Sequence, residues 1–286
     1  MLLLSSEMNK NLILIQCSDE VGLVALIARV LSKHDLNITA MREFVDEVEN
    51  QFFARIECTG DSFDEENLTA ELRSDLPESA QIAINPKALK RIVVLVTKEY
   101  HCLGDALIRN QFHTLDAEIC CVAGNYDHLS EITGRFDIPF YHVSHENKTK
   151  PEFEQELKDV INLYYPDYIV LAKFMRILSP EFIADYEGKI INIHHSFLPA
   201  FIGASPYRKA FERGVKLIGA TAHFVTNDLD EGPIIVQQTI PVNHTFSVSD
   251  MVVAGKEIEK SVLSKAMQLV FQDRVFRSGN KTIVFE

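Results

Sequence analysis

An α/β chain in two parts is what this sequence predicts: an N-terminal βαββαβ unit followed by a doubly wound, mostly parallel sheet. Three observations lead there. From about residue 90, short apolar runs alternate with stretches at helical spacing, the pattern of a parallel sheet covered by helices. The first 85 residues instead pair four strand-like runs with two amphipathic helices. Between them, Asn85-Pro86-Lys87 breaks both patterns, because the residue before a proline is pushed out of the helical region. The expected division is therefore 1–86 and 87–286.

In the first part, Asn11 to Cys17 is an apolar run suited to a buried strand. Ser18-Asp19-Glu20 then offers cap residues, and Leu23, Leu26, Ile27, Val30 and Leu31 follow at helical spacing. Asn37 to Val45 and Gln51 to Cys58 read as strands; in the second, Phe52, Ala54, Ile56 and Cys58 share one face, opposite Phe53, Arg55 and Glu57. Asp64 to Leu76 is a second helix with Leu68, Leu72 and Leu76 four apart, and Gln81 to Ile84 completes the unit. No catalytic constellation or phosphate loop is visible there. In the second part, Arg91 to Thr97, Glu118 to Ala123, Phe140 to Val143, Tyr168 to Ala172 and Lys189 to Ile193 are the strand runs. Leu217 to Val225 and Ile234 to Ile240 are later strands, and Ser249 to Phe271 is a long closing helix.

Composition narrows the function. Of 286 residues, 47% are hydrophobic, ample for a buried core, and the net charge of −13 without an offsetting basic run argues against nucleic acid or a membrane surface as partner. The five cysteines Cys17, Cys58, Cys102, Cys120 and Cys121 have no Cys-x-x-Cys spacing, which disfavours a disulfide framework or a zinc site and favours a reducing compartment. Met1 to Ser6 is too short and lacks the basic start of a signal peptide. No apolar run approaches the ~20 residues of a membrane span. The expectation is a cytoplasmic protein.

The chemistry concentrates in Ile190-Ile191-Asn192-Ile193-His194-His195-Ser196-Phe197-Leu198-Pro199, then His223, then Asp228-Leu229-Asp230-Glu231-Gly232. Asn192 and His194 are two apart, so on a strand they share a face near the carboxyl end, where α/β sheets bind ligands. An amide can polarise a carbonyl oxygen, an imidazole can move protons, and a carboxylate can orient the imidazole. Each has a plainer reading: a hydrogen-bonded core histidine, or a turn aspartate ahead of Gly232. His223 reads as structural or substrate-positioning. His142, His145, Glu146 and Asn147 are too irregularly spaced for a metal, and none is expected.

These blocks carry a resemblance. Asn-x-His, Ser-x-Leu-Pro and Asp-x-Asp-x-Gly, with Leu171-Ala172-Lys173-Phe174-Met175-Arg176-Ile177-Leu178-Ser179-Pro180 upstream, resemble the folate-dependent formyltransferase family over roughly residues 90 to 285. The resemblance implies Asn192, His194 and Asp230 as the catalytic set, with Asp230 preferred to Asp228. It implies Met175, Arg176 and Leu178 as folate contacts, no metal and no separate cofactor, since the folate is the substrate. The βαββαβ unit resembles an ACT domain through its pattern and Asp19-Glu20-Val21-Gly22-Leu23, implying an amino-acid effector near Asp19 and Gly22. There, glycine would allow close approach and free N–H groups would take a carboxylate. The plainer alternative has Gly22 packing on a strand and Asp19 capping the helix. Edge-to-edge pairing of such units suggests a homo-oligomer, a dimer or a multiple of dimers.

Two departures separate transfer from hydrolysis. Where the family's transferases place a Gly-Ser-Gly-rich phosphate loop after the first strand, this chain has the bulky, partly acidic Thr97-Lys98-Glu99-Tyr100-His101-Cys102-Leu103-Gly104-Asp105. His195 follows His194 where the transferase has proline. With the ACT-like unit, these features resemble the family's hydrolytic branch and imply hydrolysis of 10-formyltetrahydrofolate to tetrahydrofolate and formate, with His195 a candidate to position water. Formate would feed purine synthesis and balance the one-carbon pool. The rivals are formyl transfer to another amine, and an amino-acid sensor with an inactive catalytic domain.

Overall fold

The computed structural model describes residues 9–60, 63–199 and 206–286; the Met1 to Ser6 start lies outside them. Its contacts divide into two compact units, Met1–Ala88 with Asp273–Ser278 and Ile283–Glu286, and Leu89–Gln272 with Gly279–Thr282. The short tail pieces thus cluster with the first unit, whereas the sequence expectation placed everything to residue 286 in the second.

The first unit contains β1 (Asn9–Ser18), α1 (Leu23–Lys33), β2 (Asn37–Asp46), β3 (Gln51–Gly60), α2 (Glu65–Asp75) and β4 (Gln81–Ile84). Its antiparallel sheet has the order β2-β3-β1-β4. Ile13, Ile15, Ile27, Leu31, Leu68 and Leu72 are fully buried between this sheet and its two helices. Asp64 caps α2 by accepting from the Glu66 and Asn67 amides. The cap of α1 differs from expectation. The helix starts after Gly22 at φ 100°, with no side-chain cap from Ser18, Asp19 or Glu20.

The second unit runs β5 (Lys90–Val96), α3 (His101–Gln111), β6 (Ala117–Gly124), α4 (Ser130–Gly134), β7 (Phe140–His142), α5 (Lys150–Asn162) and β8 (Tyr168–Leu171). It continues with α6 (Pro180–Asp185), β9 (Ile190–His194), α7 (Pro206–Arg213), β10 (Leu217–Phe224), β11 (Ile234–Pro241) and α8 (Val248–Phe271). The sheet order is β11-β10-β9-β8-β5-β6-β7. β5 to β9 are parallel, and β10 and β11 extend them as an antiparallel hairpin. Val93 and Leu95 pack with Phe153 and Leu157 of α5 and Phe182 of α6. The alternate residues Ile92, Val94 and Val96 are also buried, on the opposite face by the two-residue period of a strand, so β5 is covered on both sides. Ser247 starts α8 with a capping box to Asp250.

The tail adds a hairpin that periodicity did not predict, β12 (Val275–Ser278) with β13 (Lys281–Val284). Phe276 meets Phe53 edge-on at 5.7 Å and Phe285 at the same distance. Phe53, on the face of β3 opposite Phe52, Ala54 and Ile56, is therefore completely buried as well.

Candidate active site

Asn192 and His194 project from the last turns of β9 onto one face, and the antiparallel register sets His223 of β10 opposite Asn192. The chain then leaves β10, swings through 225–231 and folds back. Gly232 makes that return possible: a Cβ there would stand 1.8 Å from the Phe224 carbonyl oxygen, and the Phe224 amide donates to Pro233 at 2.9 Å. Asp230 adopts a left-handed backbone, φ 59°, sparsely populated by non-glycine residues and typical of functional turns.

The turn brings Asp230 Oδ1 to 3.2 Å from His194 Nδ1. A carboxylate only accepts, so Nδ1 carries the proton and the neutral ring presents the lone pair of Nε2. That Nε2 is buried and has no partner among the described residues, although the His194 ring is only 6% exposed. Such an orphan is costly unless a ligand completes it. Burial works against the charge on Asp230, but the His194 hydrogen bond and the fields of His194, His223 and His195 outweigh it, holding the carboxyl below its usual range. His195 stacks on His194 with centroids 4.9 Å apart.

His223 has a role its sequence position only hinted at. Burial holds its imidazole below the ordinary histidine range, and Nδ1 lies 2.8 Å from the Phe224 carbonyl oxygen. The neutral ring must then donate from Nδ1 and accept at Nε2, which lies 3.2 Å from Asn192 Nδ2. His223 thereby orients the Asn192 amide and leaves its second N–H for another acceptor. At 3.8 Å, the contact of the same Nε2 with Asp230 is not a hydrogen bond.

These groups line one cavity of about 390 Å³ with Phe174, Met175, Arg176, Leu178 and the 225–229 segment. Leu178 is buried; Met175 is 58% exposed and Arg176 lies 5.6 Å from the Phe153 ring. Met175, Arg176 and Leu178 are thus brought to the catalytic candidates. The segment is tied down by partners that the sequence did not single out. The Met175 amide donates to Thr97 Oγ1 at 2.9 Å, and Ser179 donates to buried Glu154 through its amide at 2.8 Å and its hydroxyl at 2.5 Å. The turn after His194 is pinned by Thr221 Oγ1, which takes the Leu198 amide at 3.1 Å and donates to Ser196 at 2.9 Å. Asp19 and Gly22 belong to the first unit. A Cβ on Gly22 would meet nothing within 4 Å, so Gly22 answers to its left-handed φ and not to packing against a strand. Among the described residues, the one metal-capable grouping is His101, Cys102 and Glu259, not the His142 group.

A cleft whose floor holds an amide, a carboxylate-paired imidazole and its orphan nitrogen belongs to the acyl-transfer class of α/β enzymes. Residues 90–267 match the formyl transferase family. The chain is 54% identical over 268 residues to formyltetrahydrofolate deformylase of Escherichia coli K12, covering 94% of this chain and 95% of that one. A crystal structure of a formyltetrahydrofolate deformylase from Pseudomonas syringae pv. tomato superposes with a TM-score of 0.92 at 37% identity, covering 99% and 97%. Glycinamide ribonucleotide transformylase 1 of Symbiobacterium toebii superposes at 0.67 with 28% identity, over 70% of this chain and 96% of that one. The chain belongs to the formyl transferase family and, within it, to the formyltetrahydrofolate deformylases.

Proposed function

We propose that this chain hydrolyses 10-formyltetrahydrofolate to tetrahydrofolate and formate, and that Asn192, His194 and Asp230 carry the reaction. The observation that carries the site assignment is the orphan Nε2 of His194, a ring held at Nδ1 by Asp230 on a residue that lines the cavity together with Asn192. Water adds to the formyl carbon and gives a proton to Nε2. The former carbonyl oxygen takes the negative charge and accepts from the free Asn192 N–H. The carbon–nitrogen bond to the folate then breaks, the proton passes from His194 to the leaving nitrogen, and formate departs. Water and the folate balance the reaction, so no further cofactor enters it.

In this reading Met175 and Leu178 take the aromatic body of the folate, Arg176 makes the mouth of the cavity locally basic, and His195 helps to place the water. Asp19 and Gly22 form the seat for an amino-acid effector, with the first units pairing in a dimer or a multiple of dimers. No helix of the described residues is long and apolar enough to cross a membrane, in keeping with work in the cytoplasm, where formate supplies purine synthesis. Purified protein given 10-formyltetrahydrofolate and no amine should release one formate per tetrahydrofolate formed, and Asp230→Ala should abolish it. Turnover that requires an added amine would move the protein to the transferases.

A further inference from the structure

The sheet order places β5 between β6 and β8, so the chain departs to one side of β5 and returns later on the other. At such a reversal the connections diverge beyond the strand ends and open a crevice, the usual ligand seat of this architecture. Here the crevice is filled. Glu259 of α8, 1% exposed, sits among three partners. His101 Nε2, at the start of α3, donates to its Oε2 at 2.7 Å, Lys173 Nζ stands 3.1 Å from the same oxygen, and the Tyr207 hydroxyl donates to Oε1 at 2.6 Å. The Tyr207 ring lies against Gly255: a Cβ there would stand 2.1 Å from a ring carbon. On the outer side Lys256 pairs with Glu99 at 2.7 Å.

One member faces the reaction. Lys173 lines the cavity with Asn192 and His194. Leu171, the last residue of β8, is in register with Asn192, and Lys173 follows two residues beyond that strand end in a left-handed backbone, φ 63°. The folate contacts assigned above are Met175, Arg176 and Leu178, leaving the Lys173 side of the cavity for the attacking nucleophile. A ligand entering there would have to part the buried Lys173–Glu259 ion pair, and leaving one of the two charges unpaired is strongly unfavourable.

We propose that Tyr207, His101 and Lys173, gathered on Glu259, form a fixed plug in the crevice between β5 and β8 that denies amines the formyl carbon and reserves attack to water. The proposal rests on the hydrolytic reading. Opening the plug admits an amine: its nitrogen bonds to the formyl carbon, the carbon–nitrogen bond to the folate breaks, and the amine's proton ends on the folate nitrogen. The products are a formamide and tetrahydrofolate. The probe is methoxyamine, small and uncharged at neutral pH, offered to the wild type and to Tyr207→Ala, His101→Gly and the double variant, with formate and formylated amine quantified together. The wild type should give formate alone at every amine concentration. The variants should form tetrahydrofolate with a ratio of formylated amine to formate that rises from zero in proportion to methoxyamine. Tyr207→Phe, which keeps the ring, should stay with formate. If Tyr207→Ala does not fold, Tyr207→Leu carries the test, since it keeps apolar volume without the ring's far edge. Folded variants that release formate alone, or a wild type that formylates methoxyamine as readily as they do, overturn the plug. A wild type that releases no formate in the absence of amine overturns the hydrolytic reading instead.

Discussion

At the scale of single residues, the hydrogen bonds of the proposed site fix a tautomer. The Phe224 carbonyl forces the proton of His223 onto Nδ1, which makes Nε2 the acceptor that turns the Asn192 amide. His223→Leu should therefore lower kcat towards the level of Asn192→Ala, about 10²–10³-fold for a lost oxyanion donor, with KM changed far less. Steady-state kinetics that show KM rising and kcat untouched would assign His223 to substrate binding. Asp230 titrates below its ordinary value in the folded protein, so its contribution to stability is present above the unfolded-state value near 3.8 and is lost as pH falls through the lower folded value. Asp230→Asn should flatten that acid segment of the unfolding curve and also cost about 10²–10⁴-fold in turnover at neutral pH. Glu259 behaves similarly but further. Burial opposes its charge, yet His101, Lys173 and Tyr207 hold its carboxyl down to about 2. Its stabilisation is thus complete above the ordinary glutamate range and disappears only towards pH 2. Glu259→Gln, which leaves the buried Lys173 without its counter-charge, should destabilise the fold by about 3–5 kcal/mol in urea melts at pH 7.

At the scale of elements, glycines decide where the chain can turn. Gly232 lets the loop after β10 return against Phe224, so Gly232→Ala must displace backbone on the same turn that aims Asp230 at His194. The expected result is a folded protein whose turnover falls in step with Asp230→Ala, read by pairing circular dichroism with formate release. Elements chosen by periodicity were legible within a residue or two: β1, α1, β3, α2 and α8 all lie where apolar spacing put them. The cap of α1 was not, because Ser18, Asp19 and Glu20 are good cap types by composition, while the helix starts at a left-handed Gly22. A short hairpin such as β12–β13, four residues a side, carries too little periodicity to stand out from loop.

At the scale of the whole molecule, the two units have separate burial patterns. In the first, the sheet buries both faces locally, since Phe276 and Phe285 cover Phe53 opposite the main core. Phe276→Ala should cost about 3–5 kcal/mol, the usual range for a truncated buried aromatic, and differential scanning calorimetry would register it. An unchanged melting profile would show that the tail does not cover Phe53 in solution. In the second unit, the parallel strands carry their ligand-facing residues to one end of the sheet, which is why one cavity collects segments as distant as 173–178 and 225–230.

By itself the sequence determined the order of the main strands, the family and the types of group proposed for the chemistry, because these follow from local spacing and from residue identity: Asn192 and His194 share a face as soon as β9 is a strand. Only the tertiary structure decided the partners. His223 beside Asn192, Glu154 under Ser179, and His101, Lys173 and Tyr207 on Glu259 join residues up to 158 apart in the chain. The physical reason is that a buried polar group must be satisfied by whatever the fold brings within about 3 Å, and no periodicity along the chain encodes which group that is.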